Sequence, residues 1–186
     1  MSEKKYISTE EIFARAIQHH QQNKLQLANK FYNETLKQNP NHLGAYNNLG
    51  ILYNQLAQYE KAKSFYEKAI EIQPYNADAY FNLGNTFKIL RQHQEAISFY
   101  EKAIKIKPNY VDAYYNLANT LRETGKYQKS IICYEKVIKI NSTHIDSYNN
   151  LGILFNELQE HQKAIDCYEK SIEINPNFAG AYSNLG

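Results

Sequence analysis

Apolar residues recur along this 186-residue chain at spacings that place them on one side of an α-helix, and the pattern returns every 34 residues. Its clearest marker is a hexapeptide, Ala-Tyr-x-Asn-Leu-Gly with small variations, that begins at residues 45, 79, 113, 147 and 181. A fixed period of this length indicates an array of structural repeats. We divide the chain into a tail at 1–8, five units at 9–42, 43–76, 77–110, 111–144 and 145–178, and a truncated sixth unit at 179–186.

Each unit predicts two helices. With its residues numbered from 1 to 34, positions 4, 7, 8 and 11 carry mainly apolar or small side chains and form one face of a first helix. Positions 20, 24 and 27 do the same for a second helix. The break between them lies near position 15, where Gly125 stands in the fourth unit. Pro at position 32 ends the second helix in every unit but the fourth, because proline lacks an N–H and disfavours helix in the residue before it.

The sizes of the side chains predict how these helices pack. Small residues at positions 8 and 20 let the two helices of a unit approach closely, and the tyrosine at position 24 fills the space beside them. Such a pair cannot bury its apolar face alone and must stack on its neighbours. The predicted fold class is therefore all-α, a solenoid of stacked antiparallel helix pairs. The first unit departs most from the pattern, with Arg15 and His19 at core-face positions.

The second unit contains, in this order, Tyr46, Leu49, Gly50, Tyr53, Ala62, Tyr66 and Pro74. Their spacing resembles the signature of the tetratricopeptide repeat (TPR) family, with Tyr in place of its leading Trp. The resemblance covers residues 9–186. It implies a right-handed superhelix in which the first helices line a concave groove that holds another protein or a peptide.

Charge and composition narrow the partners. The net charge is only +2 with both signs interspersed, which argues against a nucleic-acid ligand or a membrane surface. No apolar run approaches the roughly 20 residues of a membrane span, and the polar N-terminus does not read as a signal peptide. Cys133 and Cys167 occupy equivalent positions of adjacent units, too far apart for a disulfide, so we expect free thiols. These features predict a cytoplasmic protein.

Motifs of catalysis and metal binding are missing from the sequence, including phosphate-binding loops, nucleophile elbows and zinc-binding pairs. His93 and His161 share position 17, where packing at the start of the second helix is the expected role. Cys133 and Cys167 stand where other units have Phe, which favours packing over reactivity. We therefore predict no catalytic residue, no metal and no cofactor in this chain.

Helical geometry predicts which residues face the groove. Positions 2, 6, 9 and 13 lie opposite the core face of the first helix, with positions 5 and 12 beside them. Position 6 is an asparagine in every unit after the first: Asn48, Asn82, Asn116, Asn150 and Asn184. An amide can hydrogen-bond a peptide backbone whatever the peptide's side chains. The row resembles the asparagine ladder of the O-linked N-acetylglucosamine transferase family, which implies peptide binding; the alternative is that the amides are solvated or bond to nearby backbone.

The third and fourth units carry the candidate specificity residues. Their groove positions hold aromatic, amide and cationic side chains: Phe81, Asn85, Lys88, Tyr115, Asn119 and Arg122. The two cations suit an acidic side chain or carboxylate, and the two rings suit apolar or stacking contacts. The alternative is a solvated charge network with Asp112, Asp146 or Glu123.

One known ligand class of the family does not fit. Chaperone-binding TPR domains hold a terminal carboxylate with basic residues at positions 2, 5 and 6. Here position 2 is acidic or Gly, and no unit has a basic residue at position 5 or 6. We therefore expect no carboxylate clamp of that kind.

These features predict a non-catalytic interaction module that binds an extended peptide of a partner protein. The alternative is the substrate-recruiting region of a larger, glycosyltransferase-like enzyme whose catalytic domain lies beyond residue 186. The sixth unit stops inside its first helix, so we expect a fragment of a longer protein. An uncapped C-terminal end also predicts weak homodimerisation.

Overall fold

The computed structural model describes residues 7–185, so predictions for residues 1–6 and for Gly186 lie outside the described part. Within it the chain forms eleven α-helices and no strand. Their bounds are α1 Thr9–Gln21, α2 Leu25–Gln38, α3 Leu43–Gln55, α4 Tyr59–Ile72, α5 Ala77–Ile89, α6 His93–Ile106, α7 Val111–Glu123, α8 Tyr127–Ile140, α9 Ile145–Glu157, α10 His161–Ile174 and α11 Ala179–Leu185.

The helices form two compact units, divided after Arg91. In the first, which we call the N-terminal unit, α1 packs on α2 and α3 on α4, and these pairs stack through α2 with α3 and α4 with α5. In the second, the C-terminal unit, α7 packs on α8 and α9 on α10, with α6 against α7, α8 against α9 and α10 against α11. The prediction of an all-α fold of stacked helix pairs is confirmed.

The core follows the repeat positions. Position 8 is small and buried in all five repeats, and position 20 is Ala or Ser with almost no exposure. Tyrosine at position 24 packs against these small residues: a Cβ placed on Gly50 would lie 2.3 Å from Cε1 of Tyr66. Position 24 is buried throughout, at Tyr32, Tyr66, Tyr100, Tyr134 and Tyr168. Side-chain size at positions 8 and 20 therefore sets how closely the helices of a pair approach.

The first repeat deviates from the pattern as its sequence does. Arg15, at a position that holds Leu elsewhere, is exposed. His19 is half-buried, and its ring stacks on Phe31 with centroids 5.3 Å apart and planes at 9°. An imidazole thus replaces the aromatic or aliphatic side chain found at this position in the other repeats.

The turn within each helix pair has one fixed backbone requirement. Position 15 has a positive φ in all five repeats, although only Gly125 is a glycine; the others are Asn23, Ala57, Arg91 and Gln159. The N–H of position 15 bonds back to a late carbonyl of the first helix, as Ala57 does to Asn54. The next N–H also bonds back in the first, second, fourth and fifth repeats, as Gln58 does to Tyr53. This left-handed residue ends the helix and reverses the chain.

Side-chain caps start several of the first helices. Ser8 forms a capping box with Glu11, and Asn76 accepts a hydrogen bond from the N–H of Ala79 at 3.0 Å. His42 and His144 use Nδ1 as the acceptor, at 3.1 and 3.2 Å. Each cap satisfies a backbone donor that the helix leaves open. It thereby fixes where the groove-facing positions begin.

Candidate functional site

All ten residues predicted from the sequence to bind a ligand are half-buried and lie on first helices. The N-terminal unit holds Asn48 on α3 and Phe81, Asn82, Asn85 and Lys88 on α5. The C-terminal unit holds Tyr115, Asn116, Asn119 and Arg122 on α7 and Asn150 on α9. A side chain must be partly exposed to contact a ligand, and these ten residues meet that condition. Their role in binding stays a prediction.

The N-terminal unit contains a cleft of about 410 Å³ between its leading helices. Its lining comes from α1, α2 and α3: Ile17, His20, Gln21, Tyr32, Asn48, Ile51 and Gln55. All but Tyr32 stand at positions 6, 9, 12 and 13, which helical geometry assigned to the groove. The cleft has an isoleucine on each of its two leading helices and amides between them. It therefore offers both apolar contact and hydrogen bonds.

Tyr32 brings a buried hydroxyl to the edge of this cleft. His20 Nδ1 lies 3.0 Å from that hydroxyl, and His20 Nε2 lies 2.9 Å from Oε1 of Gln55. Burial raises the pKa of Tyr32 to about 12, and the neighbouring Asn48 side chain offsets part of the rise. The imidazole is thus held on both sides by neutral groups.

The next repeat uses the same positions with different residues. Asn54 donates to Oγ1 of Thr86 at 2.8 Å and lies 3.4 Å from the hydroxyl of Tyr66. Thr86 in turn donates to the backbone carbonyl of Asn82 at 2.9 Å. The Asn82 side-chain amide itself has no hydrogen-bond partner among the described residues. It is therefore available to a ligand without breaking an internal bond.

In the C-terminal unit, four of the polar side chains on this surface bond to one another. Asn150 donates through Nδ2 to the hydroxyl of Tyr115 at 3.0 Å and to Oδ1 of Asn119 at 3.1 Å. Tyr134 donates to the same Asn119 oxygen at 2.5 Å. The Asn150 amide therefore bonds nearby groups, as the alternative interpretation expected, although these are side chains and not backbone.

Arg122 lies beside this cluster without joining it. Its Nη1 atom is buried and has no hydrogen-bond partner among the described residues. Within residues 7–185 Arg122 forms no ion pair with Asp112, Asp146 or Glu123. The alternative of a charge network, which also includes Lys88, stays a prediction. The guanidinium is close enough to Tyr134 to oppose the rise in that hydroxyl's pKa, which burial causes.

Sequence reasoning missed the part that position 24 plays at this surface. We interpreted the tyrosine there as a space-filling ring, yet its hydroxyl is contacted from position 12 by His20 and by Asn54. The sequence did contain a sign of this role, because position 24 is Tyr and never Phe in the five repeats. A buried tyrosine hydroxyl usually has a hydrogen-bond partner. The hydroxyl links the second helix to the side chains on the groove side of the first.

The histidine and cysteine side chains considered above for chemistry lie at helix starts or within the packing of the helices. His93 and His161 begin α6 and α10, where His93 lies 3.7 Å from Glu123 and His161 bonds Asn156. Cys133 and Cys167 are free thiols, and burial raises the pKa of each to about 11. No group of His, Cys, Asp and Glu suited to a metal ion occurs in residues 7–185. In the same range no helix is long and apolar enough to cross a membrane.

Comparison with known families matches this architecture. The Tetratricopeptide repeat model matches residues 44–109 and 109–177, well over half of the chain. The chain belongs to the tetratricopeptide repeat family, and it is a protein-interaction module of that family. The comparison with curated proteins gave no match.

Solved structures share the fold over almost the whole chain. A crystal structure of MamA protein is 25% identical with a TM-score of 0.79, covering 92% of this chain and 93% of that one. YrrB, described as a TPR protein with an unusual peptide-binding site, is 23% identical with a TM-score of 0.76, covering 97% and 93%. MamA residues 41 to the end from Desulfovibrio magneticus RS-1 is 17% identical with a TM-score of 0.81, covering 93% and 99%.

Proposed function

We propose that this chain binds an extended peptide segment of a partner protein on the groove side of its first helices. The observation that carries the proposal is the cleft of about 410 Å³ in the N-terminal unit. Its walls combine isoleucines with amides, a mixture that suits a peptide whose side chains alternate with polar backbone groups. The description of YrrB as peptide-binding supports a ligand of this class.

Amides at position 6 would bind the peptide backbone, and the other predicted residues would read its side chains. Asn82 fits this role best, because its half-buried amide has no partner among the described residues. Asn150 fits it least, since both donors of its amide bond Tyr115 and Asn119. The asparagine row therefore combines amides with internal partners, such as that of Asn150, with the amide of Asn82, which has none among the described residues.

An array of acetylated and amidated nonapeptides, probed with the purified chain, tests the proposal. The tightest binder is then titrated against a variant with Asn82→Ala and Asn116→Ala. Affinity should fall by about 1–3 kcal/mol because hydrogen bonds to the peptide backbone are lost. A matched control carries Asn33→Ala and Asn177→Ala, two exposed asparagines outside the first helices. An array without binders contradicts peptide binding, and equal loss in both double variants moves the site elsewhere.

A second candidate is substrate recruitment within a larger, glycosyltransferase-like enzyme. The recurrence of asparagine at position 6 in five repeats supports it, because that row resembles the ladder of the O-linked N-acetylglucosamine transferase family. A catalytic domain in the same polypeptide as this chain, together with array binders rich in Ser and Thr, would favour this function. Binders without hydroxyl side chains would contradict it.

Three further properties stay predictions: weak self-association through α11, a cytoplasmic location and the lack of a nucleic-acid partner. Sedimentation velocity over a wide concentration range tests the first. A single monomeric species at the highest concentration would contradict it.

A further inference from the structure

The cleft of about 410 Å³ in the N-terminal unit, called the N-terminal cleft below, is lined by uncharged side chains. Ile17 on α1 and Ile51 on α3 supply its apolar surface, while Asn48 and two glutamines supply amides. Tyr32 keeps its proton at neutral pH because burial raises the pKa of its hydroxyl to about 12. The last lining group, His20, is an imidazole, which is neutral at about pH 8. The described lining therefore offers no charge to pair with an acidic or basic side chain.

Position 9 of the first helix supplies the apolar surface of this cleft. Ile17 and Ile51 occupy it in the first two repeats, whereas Asn85 and Asn119 occupy it in the third and fourth. Both isoleucines are half-buried, so each leaves part of its aliphatic surface in contact with water. Covering that surface with an apolar side chain is favourable. A charged side chain would instead lose part of its hydration without gaining an ionic partner.

The polar side of the cleft has a defined hydrogen-bond direction. Oε1 of Gln55 can only accept, so Nε2 of His20 carries a hydrogen and donates to it at 2.9 Å. In the neutral imidazole Nδ1 is then the acceptor, and the Tyr32 hydroxyl donates to it at 3.0 Å. The Asn48 amide donates to the hydroxyl oxygen, which is why it opposes the rise in the pKa of Tyr32.

This direction leaves a donor and an acceptor for a ligand. The side-chain nitrogen of Gln55 and Oδ1 of Asn48 have no hydrogen-bond partner among the described residues. Gln55 is exposed, and Oδ1 of Asn48 is not one of the enclosed polar atoms, so both groups are accessible to solvent. A peptide group, which has one N–H and one carbonyl oxygen, is complementary to such a pair. The occupant that fits is therefore a residue of a peptide and not a free apolar compound.

We propose that the N-terminal cleft binds one apolar side chain of the partner peptide, such as leucine, between Ile17 and Ile51. The proposal rests on the peptide-binding function proposed above and names the residue class that this cleft selects. An acidic or basic side chain fits less well, because the lining offers no opposite charge. Selection by the first two repeats would add to that by the aromatic and cationic side chains of the third and fourth.

The test uses pairs of nonapeptides with blocked ends that differ only by Leu or Asn, two side chains of similar shape, at about pH 8. The pairs scan every position of the tightest array binder. At one position the wild-type chain should bind the Leu member about tenfold to a hundredfold more tightly, the gain expected from burying an apolar side chain. Glu or Lys at that position should bind no better than Asn.

A double variant with Ile17→Asn and Ile51→Asn gives the first two repeats the position-9 residue of the third and fourth. It should bring the ratio of Leu to Asn affinity close to one. Ile132→Asn is the matched control, since it makes the same change at an exposed isoleucine on α8, a second helix. Its ratio should equal that of the wild type. Circular dichroism checks folding, and if the double variant is unfolded, Ile51→Asn alone should lower the ratio by about threefold or more.

The outcomes separate this inference from the proposed function. If peptides bind but no position prefers Leu, or if the double variant keeps the preference, the apolar site is wrong while peptide binding stands. Tighter binding of Glu or Lys at that position would also overturn it. If no peptide binds, titration with N-acetylleucine N-methylamide decides, with the asparagine analogue as control. Shifts of the Ile17 and Ile51 methyl NMR signals by the leucine derivative alone support the site, and their absence overturns it.

Discussion

The N-terminal and C-terminal units use the same repeat positions in chemically different ways. In the N-terminal unit, position 12 is His20, Asn54 or Lys88, and the first two form hydrogen bonds with neutral side chains around a buried tyrosine hydroxyl. In the C-terminal unit, Asn119 and Asn150 close a network with Tyr115 and Tyr134, and Arg122 at position 12 stays outside it. The tyrosine framework is shared, while the hydrogen-bond partners of the side chains beside it differ.

This difference separates what the repeat needs to fold from what it presents to a ligand. Tyr at position 24 and a small residue at position 8 recur and are buried in both units. Position 12 lies next to that framework but varies from His to Asn to a cation. The repeats therefore keep the inner positions for packing and vary the outer ones, which under the proposed function would contact the ligand.

The largest expected effect tests the shared framework. Gly50→Ala in the N-terminal unit and Gly152→Ala in the C-terminal unit should each destabilise the protein by about 3 kcal/mol, because a buried ring must move. The new Cβ would lie 2.3 Å from the Tyr66 ring and 2.5 Å from the Tyr168 ring. Urea unfolding followed by circular dichroism measures both changes. If only one of the two variants lost stability, the two units would not share the same packing of tyrosine on glycine.

A smaller effect should separate the position-12 residues of the two units. His20→Leu removes the imidazole that Tyr32 and Gln55 bond, and the loss of both hydrogen bonds should destabilise the protein by about 2 kcal/mol. Arg122→Met keeps an apolar stem and removes a buried donor without an internal partner, so it should stabilise the protein by about 1 kcal/mol. The same unfolding experiment compares them. Equal losses would show that Arg122 is part of the fold.

The smallest effect concerns the turns, where the units differ only in side chain. Ala57 in the N-terminal unit has φ 54° and Gly125 in the C-terminal unit has φ 72°. Ala57→Gly should stabilise by about 0.5–1 kcal/mol, and Gly125→Ala should destabilise by a similar amount, because a Cβ is unfavourable in the left-handed region. No atom lies within 4 Å of a Cβ built on Gly125, so packing does not contribute. Thermal unfolding of both variants measures the pair, and changes of the same sign would contradict this account.

Much of the fold was predictable because a 34-residue period fixes every apolar position several times over. The fold class and the close approach of paired helices followed from positions 4, 8, 20 and 24. The four non-glycine residues with positive φ at position 15 were not predictable, since local propensity disfavours that conformation for alanine and arginine. Tertiary packing of the helix pair overrides this preference.

The candidate site was only partly predictable. Helical geometry identified which face Asn48 and Ile51 share, and they line one cleft. The pairing of Asn150 with Tyr115 and Asn119 joins residues 35 and 31 positions apart, and a single sequence gives no distances between adjacent repeats. The isolation of Arg122 from nearby acids was likewise invisible, because sequence spacing alone made pairing with Glu123 or Asp112 equally reasonable.

The central claim is that a partner peptide binds the groove side of the first helices. Heteronuclear NMR of the nitrogen-labelled chain, titrated with the tightest array peptide, tests it most directly. We expect shifts in the side-chain signals of Asn48, Asn82, Asn119 and Arg122 and none at a second cleft of about 350 Å³ lined by Pro40, Asn41, Tyr46, Lys68, Glu71 and Ile72. Shifts confined to that second cleft, or to the second helices, would contradict the claim.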